Sequence, residues 1–205
     1  MNGKLSALTP ISIIWGAILP SQRMRRSGAE QIIGEWYGGK PKSGCAIDIV
    51  GWAFPFMLEG ASGFGTPAGI APPLLAGLRF EPVRAAILTL IMNSVPVTFG
   101  AVGTPMWFGF SQVPLSPFEI LSVSWKSAIV HTLAALFVAL RFVMGWDQIR
   151  QNLFYMYLTI LSCVLPSPLL SRFNYEFPSL AGGAVGLCLS ALMAKRQVGL
   201  EPHKQ

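Results

Sequence analysis

Residues 85–118 run for 34 positions without a single Asp, Glu, Lys or Arg. Four other windows are as bare: 5–22, 60–78, 151–171 and 177–194, of 18, 19, 21 and 18 residues. A helix needs roughly 20 mostly apolar residues to cross a hydrocarbon core about 30 Å thick. Repeated windows of this size predict an all-α integral membrane protein. The longest window exceeds one crossing, so it must break or turn on the way. Composition points the same way. Only 12% of the residues are charged, half the roughly 25% of a soluble domain.

The net charge of +6 does not make a nucleic-acid site. The cations fall in short connections between apolar windows, and no basic stripe alternates with exposed polar residues. Cys45, Cys163 and Cys188 lie in apolar runs, suit no zinc site by spacing, and are odd in number, so no disulfide framework is implied. They read as small buried packing residues. Neither a metal nor a cofactor is expected. Lys4 followed by an apolar run to Leu19 imitates a signal peptide, but no small-x-small cleavage site follows. The run reads as a first membrane segment.

Residues 21–44 form a polar, cation-rich loop, and 28–37 within it predict a short surface helix with Ile32, Ile33 and Trp36 on its apolar side. Residues 45–118 form the broken-helix region. A span at 45–58 is interrupted by Asp48, and a helix at 66–78 must be distorted by Pro72 and Pro73. Pro82 suits the first turn of the next helix, which breaks at 93–96 and again at 100–105. Residues 119–205 predict three further spans. The first is a helix at 117–143 capped by Ser116, Pro117 and Glu119. The second, at 153–170, is kinked near Pro166 and Pro168. The third, at 180–193, has Gly182, Gly183 and Gly186 for close helix contacts. If 45–78 enters and returns as a hairpin, residues 21–44, 79–84, 141–150 and 195–205 share one side and hold 12 of the 15 cations. The positive-inside tendency puts that side in the cytoplasm.

The tripeptide Gly-Thr-Pro occurs twice, at 65–67 and 103–105, 38 residues apart. Glu59 stands just before the first copy and Asn93 before the second. A helix break inside a bilayer exposes backbone N–H and C=O groups, which is tolerated only where they line a buried or watery cavity. In carriers with discontinuous helices, half-helix N-termini point at an anionic group and freed carbonyls at a cation. Gly60, Ser62, Gly63, Gly65, Thr66, Asn93, Ser94, Gly103 and Thr104 are therefore the candidate substrate-binding residues. Gly and Pro are also common in membrane helices, and one copy alone would read as packing. Two copies, each beside an intramembrane polar residue, favour a site. The glycine run imitates a phosphate loop but lacks its Lys and the strand before it.

Glu59 is the candidate proton-coupling residue, because an ionisable group at membrane depth is costly and by default functional. Asp48 lies 11 residues earlier, about three helical turns. It shares a face with Glu59 if the helix is continuous, although its place near the cytoplasmic end also fits a solvated carboxylate. Lys126 and His131 are candidate charge partners. Lys126 either balances a substrate carboxylate or snorkels to an interface. His131 is either a proton group or a packing donor.

The runs FMLEGASGFGTPAGIAPPLLAGL (56–78), MNSVPVTFGAVGTPMWFGFSQ (92–112) and TILSCVLPSPLLSRFNYEFPSLAGGAVGL (159–187) resemble the bacterial lactate permease family over nearly the whole chain. The resemblance implies a multi-pass inner-membrane carrier that imports lactate, and often glycolate, together with protons. Family members are longer, with more spans, so the chain is expected to be an N-terminal-half fragment. Residues 45–50 depart from the family pattern, which makes Asp48 peculiar to this chain. Two other readings stay open: a carrier of another small organic anion, such as a dicarboxylate, and a non-functional truncated fragment. A membrane-embedded enzyme is disfavoured, because no metal-ligand spacing is present and His131 has no carboxylate close to it in sequence.

Overall fold

The computed structural model describes residues 48–63, 65–78, 80–110, 113–134, 145–174 and 176–196, with single positions at 8, 11, 12, 15, 22, 23, 26–28, 32 and 141. Apart from those single positions, the expected first segment, the loop at 21–44 and the continuation of the 117 helix towards Val143 lie outside the described residues.

Regular structure among the described residues is helical, with no strand. The first helix, α1 (Ile49–Ala61), opens as a five-residue π-helical turn, Ile49–Ala53, and continues as an α-helix over Phe54–Ala61. Pro55 has no N–H to offer the carbonyl four residues back, and the wider turn lies where that bond is missing. The chain breaks at Ser62–Gly65 and resumes as α2 (Thr66–Gly77). Helix α2 continues through Pro72 and Pro73. It gives up only the bonds those two residues cannot donate.

Pro82 opens α3 (Pro82–Asn93), whose cap Glu81 accepts a bond from the Val83 N–H at 3.2 Å. A 3-10 turn follows at Pro96–Phe99, and then α4 (Gly100–Gly109), with a left-handed interruption at Ala101–Gly103. The expected capping box is present at the head of α5 (Pro117–Ala134). There the Ser116 N–H donates to Glu119 Oε2 at 2.7 Å, and the Glu119 N–H donates to Ser116 Oγ at 3.3 Å. The remaining helices are α6 (Trp146–Val164), α7 (Pro166–Leu170) and α8 (Pro178–Lys195).

Two of these stretches, Ile149–Leu170 and Pro178–Lys195, are long and apolar enough to cross a membrane. The pair Pro82–Asn93 and Pro96–Met106, bent by 56°, makes a third if it is one broken span. With Glu119, Lys126 and His131 on board, α5 is not among them.

The first broken segment folds back on itself. Helix α2 packs against both the π turn of α1 and α3, so Ile70, Leu74 and Leu75 share one buried cluster with Val50, Trp52 and Leu88. The Trp52 and Phe56 rings meet tilted by 59°, 5.4 Å between centroids. On the other side, α8 lies against α1 and α6. A methyl carbon placed on Gly183 would fall 2.4 Å from Met57 Cα, and one on Gly182 would fall 2.4 Å from the Cys163 carbonyl oxygen. The absent side chains are what let these backbones approach, as expected of small residues between membrane helices. Cys163 is buried in this contact, whereas Cys188 is exposed and is not a core residue. Its position on α8 faces away from both partners.

Candidate functional site

The two Gly-Thr-Pro copies fold alike. Gly65 adopts φ 76° and ψ 13°, and Gly103 adopts φ 74° and ψ 10°. In each copy the threonine hydroxyl reaches back three residues: Thr66 Oγ1 donates to the Gly63 carbonyl at 2.9 Å, and Thr104 Oγ1 to the Ala101 carbonyl at 2.5 Å. Pro67 and Pro105 then stand in the first turn of the resumed helix, where a missing N–H costs nothing. The repeated tripeptide is thus a repeated device. A left-handed glycine turns the chain, a hydroxyl satisfies a freed carbonyl, and a proline restarts the helix. The second copy is the more strained, because Ala101 (φ 48°) and Val102 (φ 54°) join Gly103 in the left-handed region. That region costs an L-residue roughly 1–2 kcal/mol, and a β-branched residue there is a genuine outlier.

The two breaks meet. A methyl carbon placed on Gly63 would lie 2.4 Å from Ala101 Cβ, and one on Gly100 would lie 2.9 Å from Glu59 Oε1. The start of α8 completes the enclosure, since a methyl carbon on Gly60 would fall 2.3 Å from the Leu180 backbone nitrogen. Glu59 is only 3% exposed. Its carboxyl faces the Asn93 amide and the Gly65 backbone N–H. Glu59 Oε2 and Asn93 Oδ1 are buried with no hydrogen-bond partner among the described residues. A buried polar atom left unpaired costs about 1–3 kcal/mol, so two of them meeting at one junction are open positions for a polar partner.

The other candidate residues fall into place around this junction or away from it. Ser62 Oγ donates to the Leu58 carbonyl at 2.8 Å and Ser94 Oγ to the Ile91 carbonyl at 2.7 Å. With Thr66 and Thr104, all four predicted hydroxyls therefore spend their single hydrogen on local backbone and keep only lone pairs free. Ser94 is exposed, as is Lys126, which makes no ion pair among the described residues. The junction receives neither side chain. His131 is half-buried, and its Nδ1 lies 3.0 Å from Ser127 Oγ.

Asp48 is not solvated. It is 0% exposed, and Thr159 Oγ1 donates to its Oδ2. The π turn that starts at Ile49 upsets the count of three even turns. Asp48 thus packs on α6 while Glu59 packs on α4.

Sequence reasoning passed over a set of hydroxyls on α5, α7, α8 and the 3-10 turn: Thr98, Ser124, Ser127, Ser167 and Ser179. They line one cavity with Phe56 and Phe99. The signal was present on α5, where Ser124, Ser127 and His131 recur at helical spacing on one face.

Comparison with known proteins gives one family. The family described as L-lactate permease matches residues 1–204. A putative L-lactate permease of Haemophilus influenzae is 50% identical over 96% of this chain and 38% of its own length. The L-lactate permease of Escherichia coli is 35% identical over 72% of this chain and 27% of its own length. The Escherichia coli glycolate permease GlcA is 35% identical over 51% of this chain and 19% of its own length. The chain therefore spans well under half the length of the curated relatives it matches. No solved structure matches.

Proposed function

We propose that this chain, which belongs to the L-lactate permease family, is the part of a secondary transporter that holds one proton-coupled binding site for lactate or glycolate. It acts as a transporter and not as an enzyme, and its place is the bacterial inner membrane, crossed several times. The observation that carries this reading is the meeting of two left-handed helix breaks around one buried carboxyl, Glu59, with two unpaired polar atoms at the junction. Breaks of this kind are what membrane carriers use to present backbone groups to a small ion near the midplane.

In this reading the substrate carboxylate meets the N–H groups that open α2 and the resumed half of α4, behind Gly65 and Gly103. Gly60, Gly63 and Gly100 let the two backbones close on it. The Asn93 amide bonds Glu59 through its NH2 and keeps Oδ1 as a free acceptor for a substrate hydroxyl. Ser62, Thr66, Ser94 and Thr104 hold the breaks in shape and offer lone pairs to a substrate hydroxyl. Glu59 takes up or gates the coupled proton. Lys126 and His131 remain candidate charge partners further out.

The test is uptake of labelled lactate into proteoliposomes under an inward proton gradient. Glu59→Gln keeps the shape of the site and removes the titrating group, so gradient-driven uptake should collapse. Undiminished uptake would end the proton role. Stronger competition by succinate than by unlabelled lactate would favour a dicarboxylate carrier. Failure to exchange labelled for unlabelled lactate would favour an inactive fragment.

A further inference from the structure

Four side-chain hydrogen bonds leave their own helices and close a ring. Thr98, in the 3-10 turn, is bonded to Ser127 of α5 at 2.7 Å. One turn earlier on α5, Ser124 Oγ donates to Ser171 Oγ at the end of α7, at 3.2 Å. Ser167 Oγ of α7 donates to the Pro178 carbonyl at the head of α8, at 3.0 Å. Ser179 Oγ of α8 donates to the Pro96 carbonyl at 3.0 Å, back in the 3-10 turn.

Inside the ring lies the cavity that Thr98, Ser124, Ser127, Ser167 and Ser179 line. A dry junction between membrane helices is most cheaply filled with apolar or small side chains. The wall of this cavity is mostly apolar, and its five hydroxyl oxygens are the polar points at which a water could be held. The cavity adjoins the site already described, since Phe99 in its wall precedes Gly100, which packs on Glu59.

Hydroxyl bonds between membrane helices are often no more than glue. One strand of this ring has an ending that glue does not need. Ser127 Oγ, bonded to Thr98 on one side, lies 3.0 Å from His131 Nδ1 on the other. Thr98, Ser127 and His131 therefore form a continuous chain from the second break along α5 to a titratable ring. Among the described residues His131 makes no ion pair. Of the elements packed on α5, α7 has no titratable side chain, and α6 brings Asp147, Arg150, Tyr155, Tyr157 and Cys163.

We propose that Thr98, Ser127 and His131 are a proton relay between the hydroxyl-lined cavity and the far side of α5. The transfer balances at every atom. Ser127 Oγ gives its hydrogen to His131 Nδ1 and takes one from Thr98 Oγ1. Thr98 takes its replacement from a hydronium ion that reaches the cavity and leaves behind neutral water, and the ring releases a proton from Nε2. One proton moves and neither hydroxyl is left charged. The use of that proton in transport rests on the carrier reading above, but the relay itself does not.

The chain contains only two histidines, His131 and His203, so nitrogen-15 NMR of histidine-labelled protein in lipid bilayers can follow the ring directly. His131 Nδ1 should be a hydrogen-bonded acceptor with the proton on Nε2. Thr98→Val should shift the Nδ1 signal in the same direction as Ser127→Ala, whereas Ser124→Ala, in the same cavity but off the chain, should not. An Nδ1 signal indifferent to Thr98→Val overturns the relay.

The second arm compares gradient-driven lactate uptake with lactate exchange, which needs no net proton transfer. Ser127→Ala should lower the ratio of uptake to exchange by about a hundredfold, the lower end of what a positioned proton-transfer group contributes. Ser127→Thr, which keeps the hydroxyl, should restore it. An unchanged ratio overturns the relay. Exchange that is absent already in the parent chain overturns the carrier reading instead, and the NMR result then decides the relay alone.

Discussion

Gly63 and Gly69 stand six residues apart and should respond oppositely to one added methyl group. At Gly63 the backbone is left-handed, at φ +60°, and the new carbon would meet Ala101 at 2.4 Å. Conformational strain of roughly 1–2 kcal/mol adds to an overpacking cost of about 1–3 kcal/mol. Gly63→Ala should therefore lower the unfolding midpoint of the purified protein in detergent by a large margin. Gly69 is helical and exposed, with nothing within 4 Å of the new carbon. Gly69→Ala should raise the midpoint by an amount corresponding to about 0.5–1 kcal/mol. If Gly63→Ala melts with the parent, the two breaks do not touch as described. The same junction separates Glu59 from the other carboxyl of α1. Glu59 was recognisable in sequence because a lone acid opens a glycine run. The enclosure of Asp48 was not, because its partner Thr159 lies 111 residues away and the π turn changes the face on which Asp48 points.

The elements around the site are half-helices. At 1.5 Å per residue, the 12 residues of α2 and the 12 of α3 each span about 18 Å, well short of the roughly 30 Å of a hydrocarbon core. Neither half-helix can cross alone, which is what the breaks predict. The breaks were legible in sequence because Gly, Pro and Thr act through local backbone geometry. Left-handed turns, hydroxyl back-bonds and proline starts need no distant partner. The Ser116–Glu119 cap was legible for the same reason. The hydroxyl ring was not, since three of its four bonds join residues 29 to 83 positions apart, and serines in an apolar helix look alike whether they face lipid, backbone or a cavity. Left-handed Val102 was equally hidden, because no rule of local preference would place a β-branched residue there. Its conformation is testable. Val102 is exposed and φ is 54°, so Val102→Gly relieves roughly 1–2 kcal/mol of strain against about 0.5–1 kcal/mol of added chain entropy. A net rise in thermal stability is expected. A fall would mean that the left-handed turn is not the resting conformation of the second break.

For the whole molecule, the arrangement of charge and of half-helices predicts which loops share a side. If the hairpin of α1 and α2 returns to the side it left, the charge count expects the loop before α3 on the same side as the cation-rich sequence 21–44. If the bent pair α3 and α4 then makes one crossing, and α5, which does not pass as a span by itself, nevertheless returns, α6 with α7 crosses again. The Arg172 loop then lies opposite the loop before α3. If the bent pair does not cross, every later segment flips and the two loops come to the same side. Val83, 64% exposed, and Phe173, 89% exposed, mark the two loops. Cysteines introduced singly at these positions can report the difference, with Cys45 and Cys188 replaced by serine and Cys163 left in place because it is buried. In intact cells an impermeant thiol reagent should label Phe173→Cys directly and Val83→Cys only after permeabilisation. Labelling of Val83→Cys alone would reverse the orientation drawn from the 12 clustered cations. Labelling of both from the same side would show that one of the two, the bent pair α3 and α4 or α5, does not cross. If it is the bent pair, the junction at Glu59 opens to one compartment through two hairpins rather than lying between a hairpin and a broken span.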